Sequence, residues 1–197
     1  RVRARDTFKT LDVEAAALLG KALGDPQYSE SYREIQRAII GMGNVAVEPM
    51  IGYLDVADEE HQARVIDVLG HLGATRVADR LVAYAVLETA DSTLGAAARR
   101  ALVQLVKTLP TKRDAMAYLE LQLKRALHGD LMLPVDEFHR VTLWQYNAEQ
   151  AIVTPTTHDA RVVALVLATQ VSKNLYSLDL SNAQYKRQFL RSVLASS

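Results

Sequence analysis

Imidazoles ligate metals and titrate near neutral pH, so the five histidines, His61, His71, His128, His139 and His158, are the first residues to weigh for chemistry. None belongs to a His-Glu-x-x-His pair, and no two stand four apart on one helix, the spacing that puts two imidazoles on one face for zinc. Asp136, Glu137 and His139 cluster ahead of Arg140. A metal needs three or four convergent ligands, and a local polar run of this kind reads as solvated residues before a strand. There is no glycine-rich phosphate loop, Gly-x-Ser-x-Gly elbow or dinucleotide fingerprint. Gly41 and Gly43 read instead as a helix-ending turn. The chain has no cysteine, which excludes disulfides, thiolate metal sites and a cysteine nucleophile. The expectation is therefore no catalytic residue, no metal ligand and no cofactor.

Charge points the same way. Lys+Arg and Asp+Glu are 23 each, and a dedicated nucleic-acid binder usually carries a basic excess. Basic clusters exist at Arg99 and Arg100, at Lys107, Lys112 and Arg113, and at Lys173, Lys186, Arg187 and Arg191, but Asp114, Glu120 and Asp179 interleave them. These read as solvated faces, and no nucleic-acid partner is expected. Trp144 and Tyr146 are two apart, so in a strand they share a face. Exposed, they would anchor a partner; packed on neighbouring helices, they are core, which is the favoured reading because a lone hairpin needs the burial. Tyr28, Tyr32, Tyr53, Tyr84 and Tyr118 lie in helices or turns and read as packing.

The elements that must position these residues are almost all helical. The 197-residue chain is 49% hydrophobic, with only 9 Gly and 5 Pro. Ile35, Ala38, Ile39 and Met42 fall at i, i+3, i+4 and i+7, and Val65, Val68, Leu69 and Leu72 repeat that spacing. Further helices read at Val13–Leu23, Val45–Leu54, Arg76–Leu87, Leu94–Leu109, Arg113–Leu127, Asp159–Leu175 and Ala183–Leu194. Gly24-Asp25-Pro26, Gly43-Asn44, Gly73-Ala74, Pro110 and Gly129-Asp130 mark their stops. No apolar run approaches the ~20 residues that span a bilayer. The chain opens on Arg1-Val2-Arg3-Ala4-Arg5 rather than Met, so it reads as a piece of a longer array, with upstream signals unseen.

An internal repeat is visible. Aligning Ile39–Val47 with Leu69–Val77 puts Gly43 on Gly73, Met42 on Leu72 and Val47 on Val77, with Ile35 on Val65 upstream. The period is about thirty residues. An earlier copy of the second helix reads Val13–Leu23, and a later, looser copy of the first reads Arg99–Leu105. Each unit is a helix–turn–helix that cannot bury its own apolar face, so units must stack.

The segment Ile39-Ile40-Gly41-Met42-Gly43-Asn44-Val45-Ala46-Val47-Glu48-Pro49-Met50-Ile51 resembles a HEAT repeat of the short bacterial type. Pro49 matches the family's second-helix proline, Asp55 its inter-helix aspartate and Arg33 its first-helix arginine. The resemblance implies a ladder of polar contacts between such aspartates and arginines of neighbouring repeats. The next unit departs from the pattern, with Ala63 at the arginine position and Asp79 in place of the proline. The resemblance covers roughly Asp12 to Leu109, and it specifies fold more than function.

The C-terminal third differs. Val141–Tyr146 is β-branched and aromatic, Asn147–Gln150 is a turn, and Ala151–Thr154 is a return strand, together a small β-hairpin. After Thr157 two helices return around Asn174–Tyr185, a string that resembles the turn of a tetratricopeptide hairpin and would serve as a terminal cap.

The sequence thus predicts an all-α fold: a right-handed α-solenoid of antiparallel HEAT-like hairpins over residues 1–130. Residues 131–197 add a β-hairpin and a tetratricopeptide-like helix pair packed as a cap. In stacked hairpins the second helices line the concave side, where the polar positions are Glu48, Arg76, Asp79 and Arg80. With Trp144 and Tyr146 these are the candidate partner-binding residues. The expected function is a non-catalytic scaffold for a protein or peptide, with self-association through a truncated N-terminal end as a further possibility. The alternative is a HEAT-like enzyme or enzyme subunit acting on nucleic acid or a bound chromophore, which requires a buried carboxylate in a deep pocket or a continuous basic stripe.

Overall fold

The computed structural model describes residues 2–89, 91–130 and 133–196. Among these, nine α-helices and one two-stranded antiparallel hairpin are formed. The first helix, α1 (Val2–Gly24), is unbroken. The sequence expectation is a helix confined to Val13–Leu23. Arg1 lies outside the described residues, and Val2–Leu11 are simply the start of α1. No Gly or Pro occurs before Gly20 to interrupt it.

A 3₁₀ segment at Pro26–Ser31 leads into α2 (Tyr32–Met42), which ends where Gly43 takes φ +63°. The expected helix over Val45–Leu54 is instead a composite. It has a 3₁₀ turn (Gly43–Ala46), a short α3 (Val47–Gly52) and a second 3₁₀ turn (Tyr53–Asp55). Asp58 caps α4 (Glu59–His71), accepting from the His61 N–H at 2.9 Å. Gly73, at φ +70°, closes that helix as Gly43 closes α2.

A 3₁₀ turn (Thr75–Val77) precedes α5 (Ala78–Leu87). Next, α6 (Thr93–Val106) stops short of the expected Leu109, because Lys107 enters the left-handed region at φ +66° and Pro110 follows. A reciprocal capping box between Thr111 and Asp114 opens α7 (Lys112–Leu127).

Strands β1 (Arg140–Asn147) and β2 (Ile152–Asp159) pair antiparallel, with Trp144 opposite Pro155 and Tyr146 opposite Val153. The return strand runs five residues beyond the expected Thr154. The chain ends in α8 (Ala160–Leu178) and α9 (Ala183–Ser196).

The α4 helix contacts α2 and α6, α1 contacts α3, and α5 contacts α7. The α8 helix lies against α5 and α7, and the hairpin lies against α1 and α3. One hydrophobic core joins Leu23, Met50 and Leu69 to Leu119 and to Val153 and Leu175, so it runs past the expected boundary at 130. Leu131 and Met132, where the second unit was expected to begin, lie outside the described residues.

Acidic residues of earlier elements pair with arginines of later ones. Glu48 pairs with Arg76, Asp55 with Arg80, and Asp67 with Arg100 at 2.7 Å. The ladder implied by the resemblance had joined Arg33 to Asp55. Here Asp55 is held by Arg80 of α5, while Arg33 is exposed on α2.

Candidate functional site

A groove of about 610 Å³ is lined by residues of α3, α5, α6, α7, α8 and the hairpin. One end is formed by Glu48 and Ile51 of α3, Asp55 behind them, and Arg76 of the 3₁₀ turn before α5. Asp79, Arg80 and Val82 of α5 and Leu102 and Val106 of α6 line the groove as well, together with Asp114, Tyr118, Gln122 and Arg125 of α7. The remaining wall comes from Val166, Leu167 and Gln170 of α8 and from Leu143 and Trp144 of β1.

Five of the six residues singled out from sequence, Glu48, Arg76, Asp79, Arg80 and Trp144, line this one groove. Tyr146 does not. It is half-buried against Tyr53, ring centroids 5.9 Å apart at 54°. Tyr53 is fully buried and donates to the Ala17 carbonyl at 2.7 Å, so this pair fastens the hairpin to α1 and α3. Both aromatics pack on the core, as their shared strand face requires, yet Trp144 is half-buried and also bounds the groove.

Pairing cancels much of the charge. The Arg80 side chain is only 12% exposed. It holds Asp55 and, with the Gln170 amide oxygen turned toward it, donates to that oxygen from Nε at 2.8 Å. Arg76 holds Glu48, and Arg125 approaches Asp130 at 3.8 Å. Asp114 is engaged by Thr111 in the capping box.

Asp79, in the first turn of α5, makes no ion pair among the described residues. Burial pushes its carboxyl above the ordinary range, against the opposing pull of the Arg80 backbone N–H and guanidinium. Burial raises the Tyr118 phenol as well, and the charge of Asp79 adds to that shift.

The other candidate chemistry disperses into structure. Asp136 accepts from the Phe138 N–H at 2.9 Å, the Arg140 N–H at 2.8 Å and Arg140 Nε at 2.9 Å, ordering the turn in which His139 takes φ +57°. Among the described residues no group of three His, Asp or Glu side chains is placed to hold a metal ion. Of the basic clusters, Arg99 donates to the Ala85 and Thr89 carbonyls and Arg100 is held by Asp67, so both brace the helix pairs.

Sequence reading missed the α7 and α8 walls. Their signal was present as an i, i+4, i+8 stripe of Asp114, Tyr118 and Gln122, and as the i, i+4 pair Val166 and Gln170. Nothing local distinguishes such a stripe from an ordinary solvated face until the neighbouring helices are placed.

In comparisons with family models, curated proteins and solved structures, the chain finds no match.

Proposed function

We propose that the chain is a non-catalytic protein–protein interaction scaffold built as a right-handed solenoid of HEAT-like helical hairpins. Its concave groove is the surface that takes a partner. The observation that carries this reading is the convergence of Glu48, Arg76, Asp79, Arg80 and Trp144 from three separate segments onto one groove. The walls are predominantly apolar, and their rim residues Val106 and Val166 are 45% and 46% exposed. Apolar side chains grouped in a concavity and rimmed by charge are the pattern of a binding groove. The open rim suits a passing chain segment better than an enclosed small molecule.

A reading as an enzyme draws on the same Asp79, a carboxylate drawn out of solvent. General acid–base work needs a partner poised to exchange protons near neutral pH. The groups whose charges couple to it are Arg80, a guanidinium, and Tyr118, whose phenol is pushed up. Neither is suited to that role, and this favours the scaffold.

The test is a phage-displayed library of random dodecapeptides, panned on the full chain. Selected peptides are then measured as synthetic ligands against wild type, Val106→Arg and Val166→Arg. Both substitutions sit at exposed rim positions that tolerate a long polar side chain. The expected result is binding to wild type and loss of at least tenfold in affinity in both variants. Peptides that bind all three proteins equally, or a library that yields no binder, would overturn the reading.

A further inference from the structure

Five carboxylates and three guanidiniums line the groove. Glu48, Asp55 and Asp130 each face an arginine, and Asp114 is engaged in its helix cap. Asp79, in the first turn of α5, remains without an ion pair among the described residues. Arg80 turns its guanidinium to Asp55 and Gln170, and Asn174 of α8 reaches the Asp79 main-chain carbonyl at 3.3 Å rather than its carboxylate. The same groove is lined by Tyr118, whose phenol feels the Asp79 charge, and by Arg125, which is drawn toward Asp130.

A carboxylate that is drawn from water without an ion pair is destabilising where it stands. Half-buried in a groove lined by five carboxylates against three guanidiniums, it makes no ion pair of its own among the described residues and leaves the lining net negative there. Resting on the reading of this groove as a peptide-docking surface, we propose that its occupant is an apolar peptide segment carrying one lysine or arginine, whose cation is received by Asp79 beside Tyr118. The apolar side chains of the segment lie along Val82, Val106, Val166 and Leu167. The cation adds to the partial counter-charge that Arg80 provides, and specificity comes from that single charged contact.

The test uses the panned dodecapeptides and adds Asp79→Asn and Asp79→Glu. The inference expects lysine or arginine enriched at one position among apolar neighbours. Asp79→Asn should weaken those peptides at least tenfold, and Asp79→Glu should largely retain them. Replacing the peptide lysine by norleucine should cause a similar loss on wild type and none on Asp79→Asn. That peptide-side exchange reads the same contact if Asp79→Asn fails to fold by circular dichroism.

Peptides that Val166→Arg blocks but that lack an enriched cation, or that ignore the Asp79→Asn change, would overturn this inference and leave the groove reading standing. Peptides insensitive to Val166→Arg would overturn both.

Discussion

The backbone of Trp144 crosses α3 where Gly52 has no side chain: a Cβ at position 52 would stand 2.7 Å from the Trp144 carbonyl oxygen. This close approach sets the hairpin against α3, with Trp144 lining the groove. The obstructing atom is main chain, so it cannot swing aside as the end of a flexible side chain would. Gly52→Ala should therefore displace the hairpin, cost about 1–3 kcal/mol of stability and shift the emission of Trp144, the single tryptophan, to longer wavelength. Thermal unfolding and fluorescence spectra check both effects; unchanged emission would mean that the hairpin is held elsewhere.

Arg80 and Arg100 each carry one link of the ladder between successive elements, but in different surroundings. Arg80 is 12% exposed and joins Asp55 and Gln170, whereas Arg100 is 56% exposed and joins Asp67 alone. Arg80→Ala should cost about 1.5–3 kcal/mol through lost charged hydrogen bonds, and Arg100→Ala under about 1 kcal/mol. Urea unfolding of the two variants compares them directly. Equal losses would remove the special place given to Arg80 in holding the groove wall.

His61 is buried beneath α1, its ring Nε2 2.9 Å from the Gly20 carbonyl and its centroid 5.3 Å from that of Tyr53. Burial lowers its pKa from 6.5, with the Gly20 contact and Asp58 acting in the opposite sense. The unfolded chain then binds the proton more readily than the folded one. Stability is complete above about pH 6.5 and falls as pH drops from there toward the folded value. His61→Gln removes that dependence. Stability measured between pH 5 and 8 should decline on acidification more steeply in wild type than in the variant.

Asp79 runs the other way. Its raised pKa means that the folded state binds the proton more readily than the unfolded one. The carboxylate therefore carries a cost above the folded value that is relieved as pH falls toward the unfolded value of 3.8. Relative to wild type, Asp79→Asn should be at its most favourable near pH 7 and lose that advantage by pH 4. Measured unfolding free energies at the two pH values check the sign. A residue that weakens the fold while serving a ligand is the combination expected of a binding position.

Much of this was legible in the residues themselves. The stripes Ile35–Ile39–Met42 and Val65–Leu69–Leu72 marked α2 and α4, because apolar spacing of this kind has one stable solution in water. Aligned glycines 43 and 73 gave the turns, since both must adopt positive φ. Reading the chain as stacked hairpins singles out the polar positions Glu48, Arg76, Asp79 and Arg80, which line one groove. What was hidden depends on contacts distant in sequence. Asp55 could have met Arg33 or Arg80, and only packing decides. Trp144 and Tyr146 share a strand face, yet one bounds the groove and the other is covered by Tyr53. The early end of α6 turned on a non-glycine residue, Lys107, taking the left-handed conformation, which no composition rule would select.

The most direct measurement is amide and indole chemical-shift mapping of the ¹⁵N-labelled chain with the tightest peptide from panning. The account predicts perturbations concentrated at the first turn of α5, along the Tyr118–Gln122–Arg125 stripe of α7, and at the Trp144 indole N–H. Perturbations confined to the outer surfaces of α4 and α6, or to α9, with the Trp144 indole unmoved, would contradict it.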